Sequence, residues 1–258
     1  MPLVADRCIC LRKVEFSETS QILTLLGRTH GIVRVIAKGA HRTTKAGASK
    51  FGGGIDLLDV ADAVFSHAPH RDLPPLTEWT LIDGHRDLRR SLRAIYLGTY
   101  AAELVVTLLE EHDPHPTLFD RLERTLLDLS TPSKIEQAFL AFQIDLLREA
   151  GLMPELATCG NCGQAVTAHA RAFFVPSIGG VVCRNCEPSF PQRVEIDPRL
   201  LRIVQTVAGP PAESGSPRRL PILTRHQTDP LNRLLTEHVQ YASGKPLRLA
   251  RYVCARSG

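Results

Sequence analysis

The chain has 258 residues and a net charge of +4, and 43 % of its residues are hydrophobic, as in an ordinary globular protein. This length is enough to bury a sizeable core and to form more than one domain. No run of eighteen apolar residues suggests a membrane span, and residues 1–6 lack the features of a secretory signal. Seven cysteines fit a reducing compartment better than a disulfide framework. We therefore expect a cytoplasmic protein without a membrane partner.

The first eighty residues predict a small β-barrel. Short runs rich in β-branched and apolar residues are separated by turns, and no long amphipathic helix interrupts them. The predicted strands cover residues 7–12, 21–26, 32–38, 55–65 and 73–82. Five strands in this length favour a closed barrel, with the OB-fold as the leading candidate.

A basic loop follows the third predicted strand. Side chains alternate across a strand, so Arg34 and Lys38 share a face about 13 Å apart. No acidic residue occurs between Glu18 and Asp56, an interval that contains six basic residues. A solvated surface normally mixes both signs, so this excess favours polyanion binding over a loop that is basic by chance. The candidate contacts are Arg34, Lys38, Arg42, Lys45 and Lys50.

Residues 86–152 are predicted to be helical because apolar residues recur there at three-to-four spacing. Prolines at 114 and 116 end the first helix, and a second covers residues 117–129. Ser133 and Glu136 have the spacing of a capping box that opens a third helix, and Gly151 is placed to end it.

Two Cys-x-x-Cys pairs are the most specific motif. Cys159 and Cys162 are separated from Cys183 and Cys186 by twenty residues, at the upper edge of the spacing of zinc sites. The segment between them predicts a hairpin that returns the second pair to the first. Four thiolates fill a tetrahedral shell and leave no position for water, so the spacing predicts one structural Zn²⁺ per chain. The alternatives are redox disulfides or free thiols, and His169 in place of one cysteine.

The last part of the chain is basic and interrupted by a loop. Asp197 and Pro198 resemble an N-cap and first residue of a helix to residue 208, and Asp229 and Pro230 similarly predict a helix to residue 241. Residues 209–217 are rich in Pro, Gly and Ser and are predicted to form a linker or loop before Arg218 and Arg219. Residues 189–258 carry eleven arginines and lysines against five acids, whereas residues 81–158 sum to −5. Such asymmetry suggests a polyanion partner for the basic parts.

Several of these segments resemble the bacterial recombination mediator family RecO. The similarity is carried by residues 17–25, 30–34, 37–39, 139–151 and 179–186, in the family's order. It implies an α+β multidomain protein with an N-terminal OB-fold β-barrel and a helical C-terminal domain into which a four-cysteine zinc-binding subdomain is inserted. We expect the barrel at residues 1–82, helices at 83–158, the zinc-finger insertion at 159–188 and further helices at 189–258.

The resemblance also implies a function. Such a protein binds single- and double-stranded DNA without being an enzyme, and it anneals complementary strands. With RecR and single-strand-binding protein it helps to load RecA during repair, and RecF and RecA are indirect partners. By motif position the DNA contacts include Lys38 and Arg42, whereas Lys45 and Lys50 follow from charge alone. The resemblance is weaker after residue 205.

Two other functions remain open from the residues. One is a zinc-stabilised interaction scaffold without DNA affinity, and the other is a nucleic-acid enzyme. An enzyme needs convergent acids or a nucleophile with its base. Asp56, Asp59 and Asp62 are spaced by three, which scatters them over both faces of a strand. Phe51, inside the basic loop, either stacks on a base or folds back onto the core.

Overall fold

The computed structural model describes residues 2–41, 51, 54–66, 73–167, 171–209 and 221–254. These residues group into two compact units, 1–130 and 131–258. The division into four segments expected from the sequence is finer, and it stays a prediction.

The first unit is built on a five-stranded antiparallel sheet that closes into a barrel. Its strands are β1 (Leu3–Ser17), β2 (Ser20–Gly27), β3 (Gly31–Ala37), β4 (Val60–Ser66) and β5 (Leu76–Asp83). Their order is β3-β2-β1-β4-β5. The end strands meet where the Ile36 N–H donates to the carbonyl oxygen of Pro74 at 3.0 Å, beside a parallel bridge to Pro75. The predicted OB-type barrel is therefore confirmed.

Strand alternation explains the barrel's interior. On β1, Cys8 and Cys10 point inward, and on β3 so do Val33 and Val35. Burial raises the pKa of both cysteine thiols well above its ordinary value, so these residues act as small apolar side chains. Phe51, Phe65 and Trp79 complete the packing. On β1, β2 and β3, the residues that alternate with these inward-facing ones point away from the barrel interior.

β1 is longer than the sequence predicts. The predicted strand ends at Arg12, but the real strand pairs with β2 as far as Ser17. A register shift between Cys10 and Arg12 breaks the apolar alternation without ending the strand. The bulge therefore hides the second half of the strand from a pattern-based reading.

The turn between β2 and β3 is held by a buried carboxylate. Asp6 accepts hydrogen bonds from the backbone N–H groups of Thr29 and His30, at 3.0 Å each, and its carboxylate lies 2.9 Å from Nδ1 of His30. Its side chain is 2 % exposed. Gly27 leaves room for it, because a Cβ at that position would clash with Oδ2 of Asp6. This contact fixes the start of β3.

Replacing Asp6 by alanine should destabilise the barrel by about 3 kcal/mol, because two partly buried N–H groups lose a charged acceptor. Trp79 is the chain's one tryptophan and lies in the barrel core, so its fluorescence during denaturation reports on this unit. The matched control is Asp62→Ala, which removes an exposed surface pair with Arg7 and should cost less than about 1 kcal/mol. Equal effects of the two substitutions would contradict this role for Asp6.

Two helices complete the described part of the first unit. A 3₁₀ turn, Arg86–Arg90, precedes α1 (Leu92–Leu108), and α2 (Pro116–Leu129) follows. The predicted first helix is interrupted because the Ser91 side chain accepts a hydrogen bond from the N–H of Ala94, which makes Ser91 the N-cap of α1. α1 packs on β1, and α2 packs on α1.

The second unit contains four helices and a three-stranded sheet among its described residues. The elements are α3 (Ile135–Glu149), β6 (Ala172–Val175), β7 (Gly180–Cys183), β8 (Val194–Ile196), α4 (Pro198–Ala208), α5 (Arg225–Ser243) and α6 (Ala250–Val253). The sheet order is β7-β6-β8, which confirms the predicted hairpin between the cysteine pairs and adds β8 to it. α3 packs on α4 and α5.

Three helix boundaries in this unit test the capping predictions. Asp197 caps α4 through the N–H of Arg199, as predicted. The predicted capping box at Ser133 is wrong, because the N-cap of α3 is Lys134, without a side-chain cap. α5 begins four residues before Asp229, because Thr224 forms a capping box with Gln227.

None of the helices in the described part of the chain is long and apolar enough to cross a membrane.

Candidate metal centre and nucleic-acid surface

The four predicted metal ligands converge in the structure. The Sγ atoms of Cys159, Cys162, Cys183 and Cys186 all lie within 4.8 Å of one another. Within the described ranges, no other group of three or more His, Cys, Asp or Glu residues brings its ligand atoms together in this way. The loop after α3 supplies one pair, and the end of β7 supplies the other.

Backbone geometry explains the convergence. In the first knuckle the Gly163 N–H donates to the carbonyl oxygen of Cys159, and Gly163 adopts a φ of 72°, which favours glycine. The Gly160 N–H donates to the carbonyl oxygen of Val181 on β7, which ties this knuckle to the hairpin. In the second knuckle the Cys186 N–H donates to the carbonyl oxygen of Cys183.

The sulfur spacing suits a tetrahedral metal ion. Sγ of Cys162 and Sγ of Cys183 are 3.8 Å apart. Four sulfurs at a Zn–S distance of ~2.3 Å would be separated by about 3.8 Å at tetrahedral corners. All seven cysteines are free thiols in the structure. The cluster is therefore suited to one structural metal ion.

Hydrogen bonds to sulfur orient the ligands. The Cys183 N–H donates to Sγ of Cys159 at 3.3 Å, and Nδ2 of Asn161 in the first knuckle donates to Sγ of Cys186 in the second at 3.3 Å. Such outer contacts fix ligands in metal sites. Asn161 thus connects the two knuckles directly.

The cysteine thiols of the cluster differ in pKa because of their different hydrogen bonds and neighbours. Burial raises the pKa of the Cys159 thiol, but backbone N–H groups of Cys162 and Cys183 outweigh it and lower that pKa to about 6. Asn161 lowers the pKa of Cys186, but desolvation and the neighbouring thiols raise it to about 11. Adjacent thiolates repel one another, so a bound dication would allow all four to be deprotonated at neutral pH.

The candidate DNA-binding residues fall partly outside the described residues. Arg34 is exposed on the outer face of β3, and Lys38 is exposed directly after that strand. Arg42, Lys45 and Lys50 lie outside the described ranges, as does His169, the alternative metal ligand. Phe51 is 3 % exposed in the barrel core, so it is a packing residue and is not available for base stacking.

The sheet's cations separate into paired and unpaired ones. Arg7 pairs with Asp62, and Lys13 pairs with Asp56. Arg12, Arg34 and Lys38 make no ion pair within the described ranges, and all three are exposed. Arg12 was not among the DNA-binding residues predicted from the sequence. The strand alternation of residues 12, 14 and 16 would have indicated it, had β1 been extended past its bulge.

The three spaced aspartates each make contacts within the first unit. Asp56 pairs with Lys13 and Arg89, and Asp62 pairs with Arg7. Asp59 is buried, accepts the N–H of Asp56, and has its pKa raised by burial. Each carboxylate therefore has its own structural contact.

Comparison with known proteins finds family models that match both parts of the chain. The family model described as "Recombination protein O N terminal" matches residues 1–85, and "Recombination protein O C terminal" matches residues 89–250. The barrel, the helical unit and these matches define a protein of DNA repair and recombination. The chain belongs to the RecO family.

Individual relatives agree with this assignment. A protein of Rhodopirellula baltica named DNA repair protein RecO is 38 % identical over 182 residues, covering 70 % of this chain and 66 % of the relative. One from Anaeromyxobacter sp. strain K with the same name is 30 % identical over 246 residues, covering 95 % of this chain and 93 % of its own. A third, from Dehalococcoides mccartyi strain BAV1, is 32 % identical over 180 residues, covering 70 % and 68 %.

Proposed function

We propose that this protein is a DNA-binding recombination mediator without enzymatic activity. It binds single- and double-stranded DNA, anneals complementary strands and, with RecR, helps to load RecA on DNA coated by single-strand-binding protein. One observation carries the proposal: Arg34 and Lys38 project from a barrel of the RecO family without ion pairs among the described residues, whereas Arg7 and Lys13 are neutralised.

Unpaired surface cations suit a polyanion because they keep their full charge for a partner. A phosphate backbone bound by such residues releases its counterions, which supplies most of the non-specific affinity. Arg34 and Lys38 precede residues 42–50 in the sequence, and Arg42, Lys45 and Lys50 of that segment add three more cations to the proposed contact. This surface recognises phosphates rather than base sequence.

Annealing requires two DNA backbones to be neutralised together, since naked strands repel each other. The basic barrel face holds one strand in this proposal. Residues 189–258, with a net charge of +6, hold the second strand or an acidic tail of single-strand-binding protein. RecR is a direct partner, RecF and RecA take part indirectly, and the protein acts at the nucleoid in the cytoplasm.

The metal in this proposal is one structural Zn²⁺ held by Cys159, Cys162, Cys183 and Cys186. Bound zinc would crosslink the two knuckles and would leave no coordination position for a reaction. Its contribution is therefore to the stability of the second unit.

The protein should anneal complementary single strands faster than they anneal alone, because it lowers the repulsion between them. Annealing should be independent of ATP, since the sequence has no Gly-x₄-Gly-Lys-Ser/Thr loop. A fluorescence assay with complementary oligonucleotides, naked or coated by single-strand-binding protein, measures the rate.

Higher salt should slow the reaction, because counterion release drives both contacts. A rate no faster than the uncatalysed one at low salt, or a strict need for ATP, would refute the annealing role. Failure to bind DNA at low salt would favour an interaction scaffold instead.

A further inference from the structure

A groove runs over the outer face of β1, β2 and β3. The register places Arg12 opposite Thr24 on β2, and Thr24 opposite Arg34 on β3, so the three side chains form one row. Val14 and Ile22 form the next row. The groove has a volume of about 470 Å³, and its lining residues are Arg12, Val14, Ile22, Thr24, Ile32, Arg34, Val106, Leu109 and Glu111.

The charges on this groove are arranged for an anion. Arg12 and Arg34 stand on either side of Thr24, and neither makes an ion pair among the described residues. Glu111 is the one acidic residue of the lining, and it forms no ion pair with either arginine. Two unpaired guanidinium groups are suited to phosphates, which they bind in a bidentate manner.

The strand that lines this groove continues to an exposed aromatic residue, Phe16. Phe16 follows Val14 by two residues on β1, about 7 Å along the strand, and its position between the paired residues Glu15 and Ser17 is a β-bulge. Phe16 is 62 % exposed and Val14 is 44 % exposed. Bulges re-aim side chains and recur beside functional sites.

Phe16 differs from the other aromatic residues described in the barrel. Phe51, Phe65 and Trp79 are 3 %, 1 % and 9 % exposed, respectively, and belong to the core. Phe16 therefore contributes nothing to the barrel's interior, and its exposure leaves its ring face accessible. Single-strand-binding surfaces combine such rings with a basic groove, because every unpaired base offers a face for stacking.

We propose that this groove is a subsite for single-stranded DNA in which Phe16 stacks on an unpaired base while Arg12 and Arg34 hold the adjacent phosphates. The subsite rests on the proposed DNA-binding function and adds to it a preference for unpaired over paired DNA. In a duplex the bases are stacked on one another, so Phe16 has no partner there and only the cations act.

The test is a set of substitutions measured on an oligothymidylate of about 16 nucleotides, the upper end of site sizes for one OB-fold. Phe16→Ala should weaken binding about tenfold, within the range that base–aromatic stacking contributes. Phe16→Leu should weaken it similarly, whereas Phe16→Tyr should retain it because the aromatic face is kept. Duplex affinity should be unchanged in all three variants.

An oligonucleotide of the same length with abasic sites gives an independent readout. Wild type and Phe16→Ala should bind it equally, because no base remains to stack. The matched control is Leu81→Ala, an apolar side chain on β5 that is 51 % exposed and does not line the groove. Unchanged Trp79 fluorescence in each variant establishes that the barrel is folded.

The outcomes separate the two claims. If wild type binds single-stranded DNA and Phe16→Ala binds it equally well, the subsite is overturned and the proposed function stands. An equal loss on duplex and single strands would also overturn it, as would the same loss with Leu81→Ala. If wild type binds neither form at low salt, the proposed function fails and the subsite fails with it.

Discussion

Cys159→Ser should unfold the subdomain of residues 159–188 and abolish metal binding. Cys159 is 2 % exposed, and its Sγ accepts the N–H of Cys183, so serine would replace a buried, hydrogen-bonded ligand with a poor one. Structural zinc in such sites contributes an apparent ~10–16 kcal/mol. That exceeds the total stability of most domains, so loss of the ion cannot be compensated locally.

Apart from the metal site, this subdomain is stabilised mainly by a small sheet. β6 and β7 have four residues each and β8 has three, and their buried side chains are Ala172, Phe173, Phe174, Val175, Val181, Val182 and Ile196. A sheet of this size rarely folds without a metal or a disulfide. The two knuckles therefore depend on the ion that joins them.

Elemental analysis of protein purified without added metal should give about one zinc per chain for wild type and none for Cys159→Ser. Proteolysis should then cut the variant between the cysteine pairs, while Trp79 fluorescence stays unchanged because Trp79 belongs to the other compact unit. Cys254→Ser is the matched control, since Cys254 lies outside the cluster. Zinc-free wild type with an intact disulfide would overturn the prediction.

The sequence predicts the barrel well because its strands bury one face. Alternation at Val33, Val35 and Ala37 gives the correct strand and inward face of β3. The same reasoning misses the end of β1, because the bulge between Cys10 and Arg12 changes the register. Only the hairpin pairing with β2 shows that residues 12–17 are a strand.

The candidate sites also contain some features that the sequence predicts and others that it does not. The cysteine cluster was predictable because two local turns with a fixed spacing determine it. β8 was not, because three residues, Val194–Ile196, are too few for a pattern and are stabilised by pairing with β6. The role of Phe51 was also undetermined, since its sequence neighbours are basic but its contacts are in the core. A motif such as the cysteine pairs can be recognised from the sequence, whereas the burial of a side chain depends on tertiary contacts.

Salt should weaken the binding of single-stranded DNA with a log–log slope near −3. About four phosphate contacts at ~0.7 released counterion each give this value. Raising salt fourfold should therefore weaken wild-type binding about 50-fold. Changing Lys38, Arg42, Lys45 and Lys50 together to alanine should flatten the slope, because each removed cation removes one phosphate contact.

The loss of four positive charges would by itself lower the affinity for DNA. The control variant must therefore lose four positive charges at other positions. Arg7, Arg89, Arg124 and Arg171 each pair with a carboxylate at the surface, with Asp62, Asp56, Asp128 and Glu195 respectively. Changing these four to alanine should preserve most of the slope, since their charges are already neutralised by local partners. Binding measured at four or more salt concentrations gives both slopes. An unchanged slope in the first variant would move the contact to residues 189–258, whose net charge of +6 is the largest in the chain.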